Sequence, residues 1–191
     1  MKRSAPSKAF TTFAWCTYAY LLAVILFGAW VRITGSGAGC GNHWPTCHGE
    51  LIPRSPSLQT TIEYTHRLTS GFCGVLALAL VGWSWKRFGR ASRVTLASYA
   101  VLVFVILEGA IGAGLVLAEL VADDASEARA AVISLHLVNT LTLVGASALV
   151  AWWSQVPPKD TESFALSGRW LVLVLFGLVL TSMSGAITAL G

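Results

Sequence analysis

Residues 62–83, IEYTHRLTSGFCGVLALALVGW, place the polar entrance Ile62-Glu63-Tyr64-Thr65-His66-Arg67 directly against a run free of charge as far as Trp83. A helical segment of about 20 largely apolar residues crosses roughly 30 Å of hydrocarbon. Such a segment must satisfy its own backbone hydrogen bonds, so the stretch predicts a transmembrane helix. Four more windows read the same way, at about 11–31, 95–118, 130–152 and 170–190. Composition agrees, because 55% of the 191 residues are hydrophobic and only 12% are charged. A soluble domain of this length cannot bury that much apolar surface. The expected architecture is an all-α integral membrane protein, a four-helix transmembrane bundle followed by a fifth span.

The basic residues set the expected orientation. Lys2, Arg3 and Lys8 precede the first span, Lys86, Arg87, Arg90 and Arg93 fill the second loop, and Lys159 and Arg169 lie in the fourth. The opposite side holds only Arg32, Arg54, Arg67 and Arg129. By the positive-inside rule the N-terminus is cytoplasmic and loops one and three are outside. The net charge of +4 therefore reports topology and not a nucleic-acid surface, which needs basic side chains clustered on a soluble module. The first apolar run is too long for a signal-peptide core and reads as a retained span. The eight Trp residues suit interfacial belts.

The outer loop 34–61 is rich in Gly, Pro and Ser, which excludes continuous helix; loops this long tend to carry function. Within it, Cys40 and Cys47 lie where oxidation to a disulfide is possible. Together with His43 and His48 they also make up a four-ligand metal set. Cys16 and Cys73 fall inside apolar spans and read as small buried hydrophobes. Gly28-Ala29, Gly109-Ala110 and Gly185-Ala186 recur toward the outer ends of spans one, three and five, either as helix-packing glycines or as traces of a duplicated four-helix unit.

His66 and His136 enter spans two and four from the same side, at similar depth. Two level imidazoles on separate helices suit the axial positions of a haem iron. The alternative is a pair of separate histidines, each hydrogen-bonded to a neighbouring helix. Glu63, one turn outward of His66, could orient that histidine, pair with Arg67, or act as a base. Arg32, Arg54 and Arg67 are candidates to meet haem carboxylates, which guanidinium forks match, with Arg32 and Arg67 the first choice as haem-binding residues; the equal alternative is that they are snorkelling or interfacial arginines. Glu108, near the middle of span three, is costly there unless it faces the bundle interior, neutral or paired.

These residues carry a family resemblance. Val31-Arg32-Ile33-Thr34-Gly35-Ser36-Gly37-Ala38-Gly39-Cys40, then Trp44-Pro45-Thr46-Cys47-His48-Gly49-Glu50-Leu51-Ile52-Pro53, then Ile62-Glu63-Tyr64-Thr65-His66-Arg67 resemble the heme A synthase family. The match is close over about residues 20–85 and extends further through the topology and His136. The family has two four-helix halves, each with a histidine pair, and oxidises the C8 methyl of heme O through a hydroxymethyl stage to the formyl group of heme A for terminal oxidases.

The resemblance implies that His66 and His136 are the iron ligands of the substrate half. It implies that Glu63 is catalytic and that Cys40 and Cys47 form the family's disulfide. Residues 1–155 would be the four-helix haem-binding half; 156–191 would be a linker and the first span of a truncated second half, the usual home of a heme b cofactor. Heme O and the lipid bilayer are the expected partners, with heme O synthase or a second copy of the chain as protein partners, and nucleic acid excluded. The bacterial cytoplasmic membrane is the expected location, ahead of the mitochondrial inner membrane, because the N-terminus lacks a long Arg/Ser-rich transit segment. The rival reading is a bis-histidine electron-transfer or haem-carrier protein that changes no substrate. A thiol oxidoreductase would need a second exchange pair beside Cys40 and Cys47.

Overall fold

A computed structural model describes residues 8–122 and 124–155, together with 176, 177, 180, 181, 184 and 185. Four long helices make up the chain to residue 155: α1 (Lys8–Ile33), α2 (Leu58–Phe88), α3 (Arg93–Leu117) and α4 (Glu127–Trp153). Each is long and apolar enough to cross a membrane. The expected fifth span, 170–190, lies outside the described residues apart from six helical positions.

The helices outrun the apolar windows because polar caps set their ends. Ser57, Ser92 and Ser126 each accept the backbone N–H three residues on, from Thr60, Thr95 and Arg129. Such a cap satisfies an N–H group that the first turn leaves unpaired. α2 therefore starts inside the stretch expected to be loop, and the real loop is 34–57. It stops at Gly89, whose φ of 85° is cheap only for glycine.

α1 packs on α2 and α4, and α3 packs on the same two helices, which closes the four into a ring. A cluster of buried apolar side chains fills the half of the ring away from the long loop. It includes Phe10, Leu21 and Val24 of α1, Cys73, Ala77 and Leu80 of α2, Val94 and Val101 of α3, and Leu143 and Val150 of α4. The loop-bearing half holds His66, Glu108, His136, Asn139 and Thr140 instead. Trp15, Trp30, Trp83, Trp85 and Trp152 are exposed near helix ends, where an aromatic belt belongs. Cys16 departs from expectation. It is exposed, on the outward face of α1, while Cys73 is buried as expected.

The long loop is tied down at every turn. A short 3₁₀ turn, Ser36–Ala38, follows Gly35 in the left-handed region. Cys40 and Cys47 are joined by a disulfide, which removes the thiolates that the metal alternative required. Backbone hydrogen bonds of 2.9 Å run both ways between Cys47 and Glu50. Gly39 lies so close to α2 that a Cβ there would stand 2.5 Å from the Gln59 carbonyl. Its own carbonyl accepts the Thr60 hydroxyl at 2.6 Å. Asn42 reaches Glu119, just past the end of α3, at 3.1 Å, so the loop spans the mouth of the ring.

Candidate functional site

His66 and His136 lie at matching levels, roughly 12 and 14 Å along α2 and α4 at about 1.5 Å per residue. They are within electrostatic reach of each other. The Nδ1 atoms of both rings are buried and have no hydrogen-bond partner among the described residues. Each ring lies against a glycine of the preceding helix. A Cβ on Gly28 of α1 would stand 3.1 Å from Cε1 and 3.2 Å from Nε2 of His66, and one on Gly112 of α3 would stand 3.9 Å from Cε1 of His136. Phe27 meets the His66 ring edge-on, with centroids 5.5 Å apart.

The repeated pattern is thus a glycine opposite a histidine in each helical hairpin. The sequence repeat pointed to Gly109, which has open space around its Cβ position. One turn further on, Gly112 is the glycine that meets His136, at an ordinary van der Waals distance. Only the contact across the hairpin distinguishes the two.

Glu108 faces the bundle interior, and its Oε1 stands 3.4 Å from Nε2 of His136. It also accepts hydrogen bonds from Asn139 Nδ2 and the Thr140 hydroxyl, and Asn139 donates to the Phe104 carbonyl at 2.9 Å as well. Asn139 and Thr140 join the site in the structure without being among the residues expected from the sequence. Their spacing of i+3 and i+4 from His136, which places them on its helix face, was the available signal.

Glu63 is buried, with 3% of its surface exposed. Its Oε2 accepts the Cys40 N–H at 2.7 Å, and its Oε1 pairs with Arg67 through Nε at 3.1 Å and through Nη2. Arg67 Nη1 donates to the His43 and Thr46 carbonyls, both at 2.7 Å. The structure thus shows the Glu63–Arg67 ion pair. These contacts tie Arg67 to Glu63 and to the disulfide loop. Arg54 is exposed in a surface groove lined by Gly39, His48 and Gln59. Arg32 differs, since its Nη2 is buried without a partner among the described residues.

This donor set fits a bis-histidine haem: two imidazoles on facing helices, backed by glycines, in the half of the ring that the apolar cluster leaves to polar groups. Among the described residues no three His, Cys, Asp or Glu side chains gather to hold a bare metal ion.

Residues 11–191 match the COX15-CtaA family, cytochrome oxidase assembly protein. A protoheme IX farnesyltransferase of Thermus thermophilus is 46% identical over 180 residues, covering 94% of this chain and 30% of that protein. A heme A synthase of Alkalihalophilus pseudofirmus is 44% identical over 96 residues, 50% of this chain and 32% of the relative. Another, from Exiguobacterium sibiricum, is 40% identical over 108 residues, 56% of this chain and 34% of the relative. The chain spans about a third of the length of these relatives. With its four membrane-length helices and a family match that runs from α1 to its last residue, the chain belongs to the COX15-CtaA family of cytochrome oxidase assembly proteins, the heme A synthase family that its loop and histidine motifs resemble.

Proposed function

We propose that this bundle is the substrate half of a heme A synthase, holding heme O between His66 and His136 while its C8 methyl is oxidised through hydroxymethyl to formyl. The observation that carries the reading is the pair of level imidazoles with buried, unpartnered Nδ1 atoms, each lying against a glycine. The haem supplies the redox centre, and the chain's part is to bind, orient and exclude water. Water provides the oxygen of the hydroxymethyl group, and each of the two stages releases two protons and passes two electrons to an acceptor outside this bundle. Glu63 stands one turn outward of His66, where its carboxylate can take a proton or stabilise positive charge at the methyl. Arg67 and the Cys40 N–H fix its position.

Heme b, the expected resident cofactor, takes a separate histidine pair. The chain's other two histidines, His43 and His48, lie in the loop, so in this reading heme b is held by a second half or a partner such as another copy of the chain. We place the N-terminus in the cytoplasm and the disulfide loop outside, in a bacterial cytoplasmic membrane, as the distribution of Lys and Arg directs.

The test is to purify the chain in detergent from cells that make heme O, and to identify the extracted haems by chromatography and mass. Heme O or heme A should accompany the wild type and be absent from His66→Ala and His136→Ala. Heme b alone, bound through the same two histidines, would replace this reading with that of a carrier or electron-transfer protein. A farnesylated product made from protohaem would instead favour the activity named for the Thermus relative.

A further inference from the structure

Two arginines outside the catalytic proposal converge at the loop end of the ring. Arg32 lies in the last turn of α1, one turn beyond Gly28 and on the same face. Arg129 lies in the first turn of α4, two turns, about 10 Å, outward of His136 and on its face. The two guanidinium groups are within electrostatic reach of each other. Each carries a buried nitrogen without a partner among the described residues, Nη2 of Arg32 and Nε of Arg129.

Like charges brought together with unused donors call for a shared anion. Arg129 also stands at a helix N-terminus, where the macrodipole opposes a cation. It is held there by the Ala122 carbonyl at 2.7 Å and by the Asp124 carbonyl. Among the described residues, three carboxylates at this end of the ring have partners of their own: Asp124 with Ser126, Glu119 with Asn42, and Glu63 with Arg67.

We infer that Arg32 and Arg129 together form the binding site for the two carboxylate side chains of the haem, with the porphyrin standing between the histidines and its acidic edge toward the loop. This rests on the bis-histidine reading above and adds to it the orientation of the porphyrin. Guanidinium forks match carboxylates in geometry and charge. With the acidic edge held at the mouth, the opposite edge of the ring points into the bundle, away from water.

The test titrates the detergent-purified full chain with protohaem IX and, separately, with its dimethyl ester, following the absorption band of the bound haem. The wild type should bind the free acid roughly tenfold to a hundredfold more tightly than the ester, as charge-assisted hydrogen bonds of this kind give. In Arg32→Gln, Arg129→Gln and the double variant that preference should shrink toward one, while affinity for the ester is unchanged. Arg→Lys at either position should restore part of it.

Equal binding of acid and ester by the wild type would overturn the inference. So would a preference that survives in the double variant, or loss of both ligands together in the variants, which would make the arginines scaffold. The six-coordinate, bis-imidazole spectrum of the ester complex reports separately on the ligand reading. If His66→Ala and His136→Ala leave that spectrum unchanged, the histidine assignment fails, and the orientation inferred from it fails too.

Discussion

The contrast between Gly28 and Gly112 is the most sensitive single-residue test of the site. A methyl at Gly28 enters a space only 3.1 Å from the His66 ring, whereas one at Gly112 meets His136 at an ordinary 3.9 Å. Gly28→Ala should therefore shift or weaken the haem spectrum and lower haem affinity about tenfold, while Gly112→Ala should bind like wild type; equal behaviour of the two would show that His66 relaxes freely. Glu63→Gln keeps an acceptor for the Cys40 N–H but loses the ion pair with Arg67. It should retain haem and fall at least a hundredfold in heme A formation, consistent with the weight of general acid–base catalysis. Wild-type turnover by this variant would reduce Glu63 to a support of the loop. The chemical identities of Glu63, His66 and His136 were legible in the chain. The commitment of Arg67 to two loop carbonyls and the involvement of Arg129 were not, because both depend on segments far apart in sequence.

Among the elements, the disulfide loop and the first two turns of α2 behave as one piece. Gly39 presses on Gln59, the Thr60 hydroxyl reaches Gly39, Glu63 holds Cys40, and Arg67 holds His43 and Thr46. Closing a loop of this size contributes about 2–3 kcal/mol by chain-entropy reasoning. The paired Cys40→Ser, Cys47→Ser variant should lose about that much stability, and protease should cut first within residues 34–57. Unchanged resistance to cleavage would mean that the hydrogen bonds alone hold the loop. The spans were readable from apolar length, but their ends were not, since Ser57, Ser92 and Ser126 carry the helices past the apolar windows and capping is local polar chemistry that hydropathy does not register.

In the molecule as a whole, the apolar cluster and the buried histidines occupy opposite ends of the ring. Leu80 is 1% exposed within the apolar cluster, well removed from His66 on the same helix. Leu80→Ala should lower stability by about 2–5 kcal/mol through the cavity it leaves, as read from thermal or denaturant unfolding in detergent. The folded fraction should retain the wild-type haem spectrum; a changed spectrum would show that the two ends are coupled. The same division explains why the site half admits Glu108, Asn139 and Thr140. Buried polar groups are tolerated where they satisfy one another, and α3 and α4 bring these three into a single hydrogen-bonded set beside His136.

Apolar run length and the backbone's need for internal hydrogen bonds made membrane helices readable from the chain by itself, and the spacing of motif residues marked the histidines and the cysteine pair. These are local properties, carried by residues within a turn or two of one another. Packing alone assigned Gly112 rather than Gly109 to His136, turned Arg67 to the loop, and brought Arg32 of α1 within electrostatic reach of Arg129 of α4. Those outcomes depend on which helix faces are pressed together, and the closure of the ring sets that through contacts between residues as much as 143 positions apart, as between Thr11 and Ser154.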